Sequence, residues 1–296
     1  MSHIDYADDL VLLSHSELAM NEMPYRLKEQ GDKIGLRISA NKTKCMWLST
    51  KESCLASRPA TILLGQAQVQ QVYAFDYLGI TLTHTGKSGP NIAKRVKAAR
   101  SSLSVFRPLM VRSEISRSVK RSIVKRCVFP VLFYGCETWR LNACDVGRLR
   151  ALFNDCRRAI LGASKWDHLR NVEVEQLVPF EDPLALVVAR KVTFYRRIWC
   201  SNNKLLQGVL SGSVNWRGNP GKIVPARLRT SWYANFTSEC ELTKTASGGS
   251  LDPLSVVCKS EQSLEKGEYT RLVRATRELT IPNSSRTFKK DFLCTS

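Results

Sequence analysis

Residues 4–14 read IDYADDLVLLS: apolar and polar positions alternate, then give way to an apolar run. That pattern predicts two short strands meeting at the ADD turn. Ser14, with Glu17 three residues on, is a capping-box signature for the helix that follows. In that helix Met20, Met23, Leu27 and Ile34 recur on one face and read as core. Pro24 in its interior predicts a kink or a late start, and Gly31 and Gly35 close it. LRISANKTKCMWLS then reads as strand, turn, strand, and ATILLGQAQVQQVYAFDYLGITLT as short strands with a hairpin around Tyr77, Leu78 and Gly79.

Past the Gly/Ser/Pro-rich joint THTGKSGPN the period changes to helical. Residues 92–107 and 113–127 predict basic amphipathic helices. VLFYGCETW, opening after Pro130, predicts a buried turn of helix or a short strand. A helix over 145–161 stops at Gly162, and another covers 183–199. Residues 208–250 are rich in Gly, Ser, Asn and Pro and predict little structure, with one short helical stretch at 268–279.

Composition changes this picture in one respect, which is charge. The 296 residues are 43% hydrophobic, enough for a sizeable core, yet the net charge is +19 and the pI about 9.7. Between 87 and 126 lie Lys87, Lys94, Arg95, Lys97, Arg100, Arg107, Arg112, Arg117, Lys120, Arg121, Lys125 and Arg126 against one acid, Glu114. Like charges at helical spacing repel, so a stretch this one-signed predicts an anionic partner, with nucleic-acid phosphate first. The ten cysteines form no C-x-x-C pair and no zinc spacing, which predicts reduced thiols and an intracellular setting, nuclear or cytoplasmic. No signal-peptide pattern opens the chain, and VFPVLFYGC is far shorter than the ~20 residues of a membrane span. The NFT at Asn235 is then a coincidental glycosylation match.

The candidate chemistry sits at Asp8 and Asp9. Two adjacent carboxylates on a tight turn offer hard oxygen donors to a divalent cation such as Mg²⁺ or Mn²⁺, and phosphoryl transfer uses such ions. The same dipeptide also suits an exposed polar turn.

The order YADDLVLLS, amphipathic helix, GLRISANKTK and FDYLGITLT resembles the later half of a reverse-transcriptase palm of the non-LTR (LINE-type) retrotransposon family. VFPVLFYGCETW and LRALFNDCRRAILG extend the resemblance, which covers residues 4–177. It implies an α+β fold: a partial palm of short antiparallel hairpins plus a helix, a mainly α-helical thumb, and a poorly structured C-terminal region. The implied boundaries are 1–85 for the palm part, 86–165 for the thumb, 166–207 for a helical post-thumb segment and 208–296 for a low-structure basic tail.

The resemblance also implies roles. Asp8 would ligate the catalytic metal, with Asp9 nearer a second metal or holding the turn. Tyr6 would pack at the primer end, and Ala7 stays small so that nucleic acid can close on the turn. Lys42 is a candidate to protonate pyrophosphate, or a solvated turn lysine. Tyr77, Leu78 and Gly79 match a primer grip, where glycine lets a backbone approach closely. Lys94, Arg95, Lys97, Arg100, Lys120, Arg121, Lys125 and Arg126 would line the thumb along an RNA template and DNA primer, with Tyr134 and Trp139 in its core.

In this family fingers and a third metal-binding aspartate precede YADD, whereas here seven residues precede Asp8. Asp5 is too close in sequence to stand in. The expectation is a reverse-transcriptase fragment that does not extend a primer alone, with deoxynucleotides as partners only if the earlier part is supplied. The alternative is a nucleic-acid-binding remnant without chemistry. Cys200, Cys240, Cys258 and Cys294 are too scattered for a zinc knuckle, and FEDPLALVVARK reads as a helix start at Pro183 rather than a nuclease site. A nucleotide cyclase would need a Gly-rich turn that the sequence lacks, and a membrane-surface role ranks last.

Overall fold

The computed structural model describes residues 2–14, 16–48, 61–163, 167–201, 203 and 206. The expected tail over 208–296, its helix at 268–279, Asn235, Cys240, Cys258 and Cys294 lie outside the described residues. The fold is mixed α+β, with helices and small two-stranded sheets, in two compact units covering 1–91 and 92–296.

The first unit opens with an antiparallel hairpin of β1 (Ser2–Tyr6) and β2 (Asp9–Leu13), closed by the pair Tyr6 and Asp9. Helix α1 (Glu17–Lys33) is capped by Ser16, whose side chain accepts from the Ala19 N–H at 3.2 Å. The expected capping box from Ser14 to Glu17 does not form. Ser14 instead folds onto Ser16, and the Glu17 carboxylate accepts from the Thr61 N–H at 3.0 Å, spending its charge on a long-range tie. Pro24 causes no late start: α1 runs through it, and Met23 and Pro24 are its buried positions. Met20 and Met23 face inward as expected, but Ile34 lies past the helix end and is exposed.

The expected strand at Leu36 to Ala40 is absent. That stretch closes a turn in which the Thr43 N–H and hydroxyl both bond the Ser39 carbonyl, leaving only β3 (Lys44–Cys45) as strand. β3 pairs in parallel with β6 (Gln70–Gln71), while β4 (Leu63–Leu64) and β5 (Ala67–Gln68) form an antiparallel pair. Ile62, Leu64 and Val69 make a small core with Met20, Ile38 and Trp47 packed against it. The last hairpin, β7 (Ala74–Tyr77) and β8 (Ile80–Thr83), turns at Leu78 and Gly79 as the sequence predicts. Buried Asn91 ties it down by accepting from the Thr81 N–H at 3.3 Å.

The second unit is helical. Helix α2 (Gly89–Val111) runs through Pro108 and past the expected end at 107. Helix α3 (Arg117–Ile123) leads into a π-helical turn (Val124–Val128) and α4 (Phe129–Leu132). Pro130 has no N–H to donate, so the helix widens just before it. The Phe129 N–H reaches back to the Val124 carbonyl, and the Ser102 hydroxyl bonds the Cys127 carbonyl at 3.2 Å. YGCETW therefore emerges as a left-handed Gly135 and a 3-10 turn (Cys136–Thr138), ending in buried Trp139.

Helix α5 (Ala143–Leu161) is capped by Asn142 at one end and by left-handed Gly162 at the other, where the sequence stops it. Helices α6 (Asn171–Leu177) and α7 (Pro183–Trp199) follow. One core runs through this unit, from Ile92, Val96 and Met110 through Leu149, Leu152 and Phe153 to Val188 and Val192. Its centre is four phenylalanines: Phe129 stacks on Phe153 at 4.7 Å, with Phe133 and Phe180 packed edge-on around them. Buried rings in such geometry are worth roughly 0.5–1.5 kcal/mol per pair beyond the area they bury.

Candidate metal hairpin and nucleic-acid interface

In the first unit Ala7 and Asp8 form the two-residue loop between β1 and β2, and Asp9 begins β2. Ala7 has φ 55, the left-handed region, which for a residue with a Cβ costs about 1–2 kcal/mol. The turn thus holds strain where the carboxylates sit. Asp8, Asp9 and Tyr6 are all exposed. The pairing puts Asp9, Tyr6 and Ile4 on one face and Asp5 and Leu10 on the other, so Asp5 does not join Asp9. Two adjacent exposed carboxylates fit Mg²⁺ chemistry, since this ion keeps several waters and is held by one or two carboxylates with substrate phosphates. Among the described residues no third acid, histidine or cysteine converges on them.

Lys42 is exposed in the turn closed by Ser39 and Thr43. The strands flanking Leu78 and Gly79 end at the pair Tyr77 and Ile80. Both loop residues are left-handed, at φ 47 and φ 76, the mirror-image turn that matches strand twist. Glycine is needed at the second of these positions. Leu78 and Gly79 are exposed at the tip, whereas the Tyr77 hydroxyl is buried with no hydrogen-bond partner among the described residues.

In the second unit the basic stretch separates into two groups, a division the sequence did not show. Acids from later elements neutralise part of it: Arg100 bonds Asp155 of α5 at 3.0 Å, and Lys125 bonds Glu181, between α6 and α7, at 2.9 Å. Arg95 stacks on the Tyr134 ring at 4.4 Å, and Arg121 lies over Phe180 at 5.5 Å. Lys120, expected on the thumb surface, is buried and is not presented there. Tyr134, expected in the core, is exposed under Arg95, while Trp139 is buried as expected. Lys94 is exposed on α2. Lys97, Arg107, Arg112, Arg117 and Arg126 are exposed and carry no acidic partner among the described residues. Arg107, Arg112 and Arg117 count only toward charge in the sequence; their place around the α2–α3 turn marks them as interface candidates.

Buried ionisable groups shape the rest of this unit. Burial pushes the Asp182 carboxyl up despite its bond from Arg150 at 3.3 Å, and burial likewise raises Asp145. Burial draws the Arg157 guanidinium down, and it is held by Glu175 at 2.9 Å and by the Val178 carbonyl at 3.2 Å. The described cysteines are free thiols, and burial, with Glu137 or Asp155 nearby, pushes Cys136 and Cys156 up to about 12. No helix among the described residues is long and apolar enough to cross a membrane.

No protein-family model and no solved structure match the chain. Three relatives are informative. A transposon-derived protein of Caenorhabditis elegans, itself uncharacterized, is 22% identical over 270 residues, 88% of this chain and 93% of that protein. The RNA-directed DNA polymerase of Drosophila melanogaster transposon BS is 30% identical over 166 residues, 52% of this chain and 18% of the polymerase. That of the Drosophila mobile element jockey is 26% identical over 59% of this chain and 19% of its own length. The chain thus spans less than a fifth of these polymerases and nearly all of the nematode protein. It is a distant homologue, over part of its length, of transposon-derived proteins and of the reverse transcriptases of non-LTR elements.

Proposed function

We propose that the chain is a retroelement-derived nucleic-acid-binding protein of reverse-transcriptase descent. Its second unit grips an RNA template–DNA primer duplex as a thumb does, and its first unit carries the metal-binding turn and primer-grip hairpin of a palm. The observation that carries this reading is the set of exposed cations, Lys97, Arg107, Arg112, Arg117 and Arg126, that have no acidic partner among the described residues of one helical unit. Such a set reads phosphate and shape rather than base sequence.

For the chemistry, Asp8 and Asp9 would hold Mg²⁺ or Mn²⁺, which when bound supplies the Lewis acid of nucleotidyl transfer. Lys42 would stand as proton donor, and Tyr6, Tyr77, Leu78 and Gly79 would position the primer end. The β1–β2 hairpin has apolar residues on both faces, and Ile4, Tyr6 and Leu10 are exposed. A two-stranded hairpin is marginal alone. Together with the pair of carboxylates lacking a third ligand among the described residues, this supports binding without primer extension by the chain on its own.

Titrating a labelled RNA–DNA duplex tests the binding, which is expected to fall steeply with salt and to ignore both Mg²⁺ and Asp8→Ala. Salt-insensitive or absent binding refutes the interface. Mg²⁺-dependent primer extension that Asp8→Ala abolishes refutes the claim that the chain lacks catalysis alone.

A further inference from the structure

The segment Val178–Asp182 between α6 and α7 is pinned from several sides. Arg157 donates to the Val178 carbonyl and lies 5.8 Å from the Phe180 ring centroid. Asp182 bonds Arg150 and accepts from the Leu184 N–H at 3.1 Å. Held in this way, the segment presents Glu181 to Lys125, with Arg121 one helical turn before it on α3. The Arg121 guanidinium sits over Phe180, and its Nε is buried with no hydrogen-bond partner among the described residues. Burial works to raise the Glu181 carboxyl, but its hydrogen bonds to its own backbone and to Lys125, with the charges of Lys125 and Arg121, hold it below its ordinary value. Lys125 is bonded to a single carboxylate on which the charge of Arg121 also acts, so two positive charges face one negative partner.

We propose that Arg121 and Lys125 form a latent phosphate site that Glu181 occupies as an internal carboxylate stand-in. A nucleic-acid phosphodiester is the ligand that displaces it. A phosphodiester carries the same single charge and offers oxygens to both cations, where the carboxylate is bonded to Lys125. The Lys125–Glu181 pair is part-exposed, with side chains 36% and 22% accessible, so the oxygens of a phosphodiester can reach it. Glu181 then lowers affinity for any weak anionic contact and yields only to a duplex that other cations already hold. This inference rests on the nucleic-acid reading above.

The test uses the full chain and a labelled RNA–DNA duplex, with affinity measured across a salt series. Glu181→Gln keeps the shape and one acceptor oxygen while removing the charge. It is expected to tighten binding about three- to tenfold at moderate salt while leaving the salt slope near that of wild type, because the same phosphates are engaged once Glu181 is displaced. Adding Lys125→Met to Glu181→Gln is expected to reverse the gain, whereas Glu22→Gln, which adds the same charge on α1 of the first unit, is expected to leave affinity near wild type; that contrast separates release of this site from a general change in net charge. Thermal midpoints confirm that the variants are folded. Wild-type binding with an unchanged or weakened Glu181→Gln variant overturns the latent site and leaves the interface standing. Binding by neither protein overturns both.

Discussion

Arg126 and Arg100 are both exposed arginines of the basic stretch, yet the structure predicts that only the first contributes to the salt dependence of binding. Arg126 has no acidic partner among the described residues, whereas Arg100 is bonded to Asp155. Each cation that neutralises a phosphate contributes about 0.9 to the slope of log affinity against log salt. If all five unpartnered cations engage, the slope is about −4.5, and raising salt from roughly 50 to 200 mM weakens binding about 500-fold. Arg126→Ala reduces the slope to about −3.6 and that loss to about 150-fold. Removing the pair together, Arg100→Gln with Asp155→Asn, deletes no net charge and leaves the slope near the wild-type value. The assay is fluorescence anisotropy of a labelled RNA–DNA duplex at several salt concentrations. An Arg126→Ala slope equal to wild type, or a paired variant that flattens the slope as much as Arg126→Ala, refutes the division into tied and available cations.

Further expectations concern stability and reactivity. Phe153→Ala removes the fully buried ring at the centre of the aromatic cluster and is expected to cost about 3–5 kcal/mol in denaturant unfolding of the helical unit; a loss under about 1 kcal/mol would show that the cluster is not its core. The folded-state pKa of Asp182 is raised above its unfolded value, so its ionisation opposes folding: its contribution is fully present below the ordinary carboxylate range and is lost as pH rises through the raised value. Asp182→Asn, which keeps a capping oxygen, should therefore flatten the stability profile on the acid side of neutrality, and an unchanged pH profile would contradict that sign. Gly79→Ala puts a Cβ on a left-handed residue and should cost about 1 kcal/mol, read by thermal unfolding of the first unit. A thiol reagent at mildly alkaline pH should label exposed Cys144 and Cys200 quickly and spare Cys136 and Cys156 until unfolding; equal rates would contradict their burial.

What could be read from the sequence follows from the range of the forces involved. The helix ending at Gly162, the helix over 183–199 and the turns at Ala7–Asp8 and Leu78–Gly79 are set by neighbouring residues, and the structure has them where the pattern puts them. Errors arise where a distant partner intervenes. Glu17 leaves the capping box because the Thr61 N–H, 44 positions away, offers its carboxylate a bond, and Ser16 takes over the cap. Residues 36–40 have strand-like composition, but among the described residues no neighbouring strand supplies a ladder and a turn forms instead.

The same limit governs the candidate interface. Counting charge from 87 to 126 treats every cation alike, because the acids that neutralise some of them come from 155 and 181. Lys120 was invisible as an interior residue for a related reason: charge periodicity marks a helix face, but only packing decides which face is covered. On the nucleic-acid reading, net charge points to the class of partner, while the fold decides which cations are tied to acids. Glu181 belongs to neither description alone. It reads as a polar residue before a helix, and only its position against Lys125 and Arg121 gives it the role of competitor proposed above.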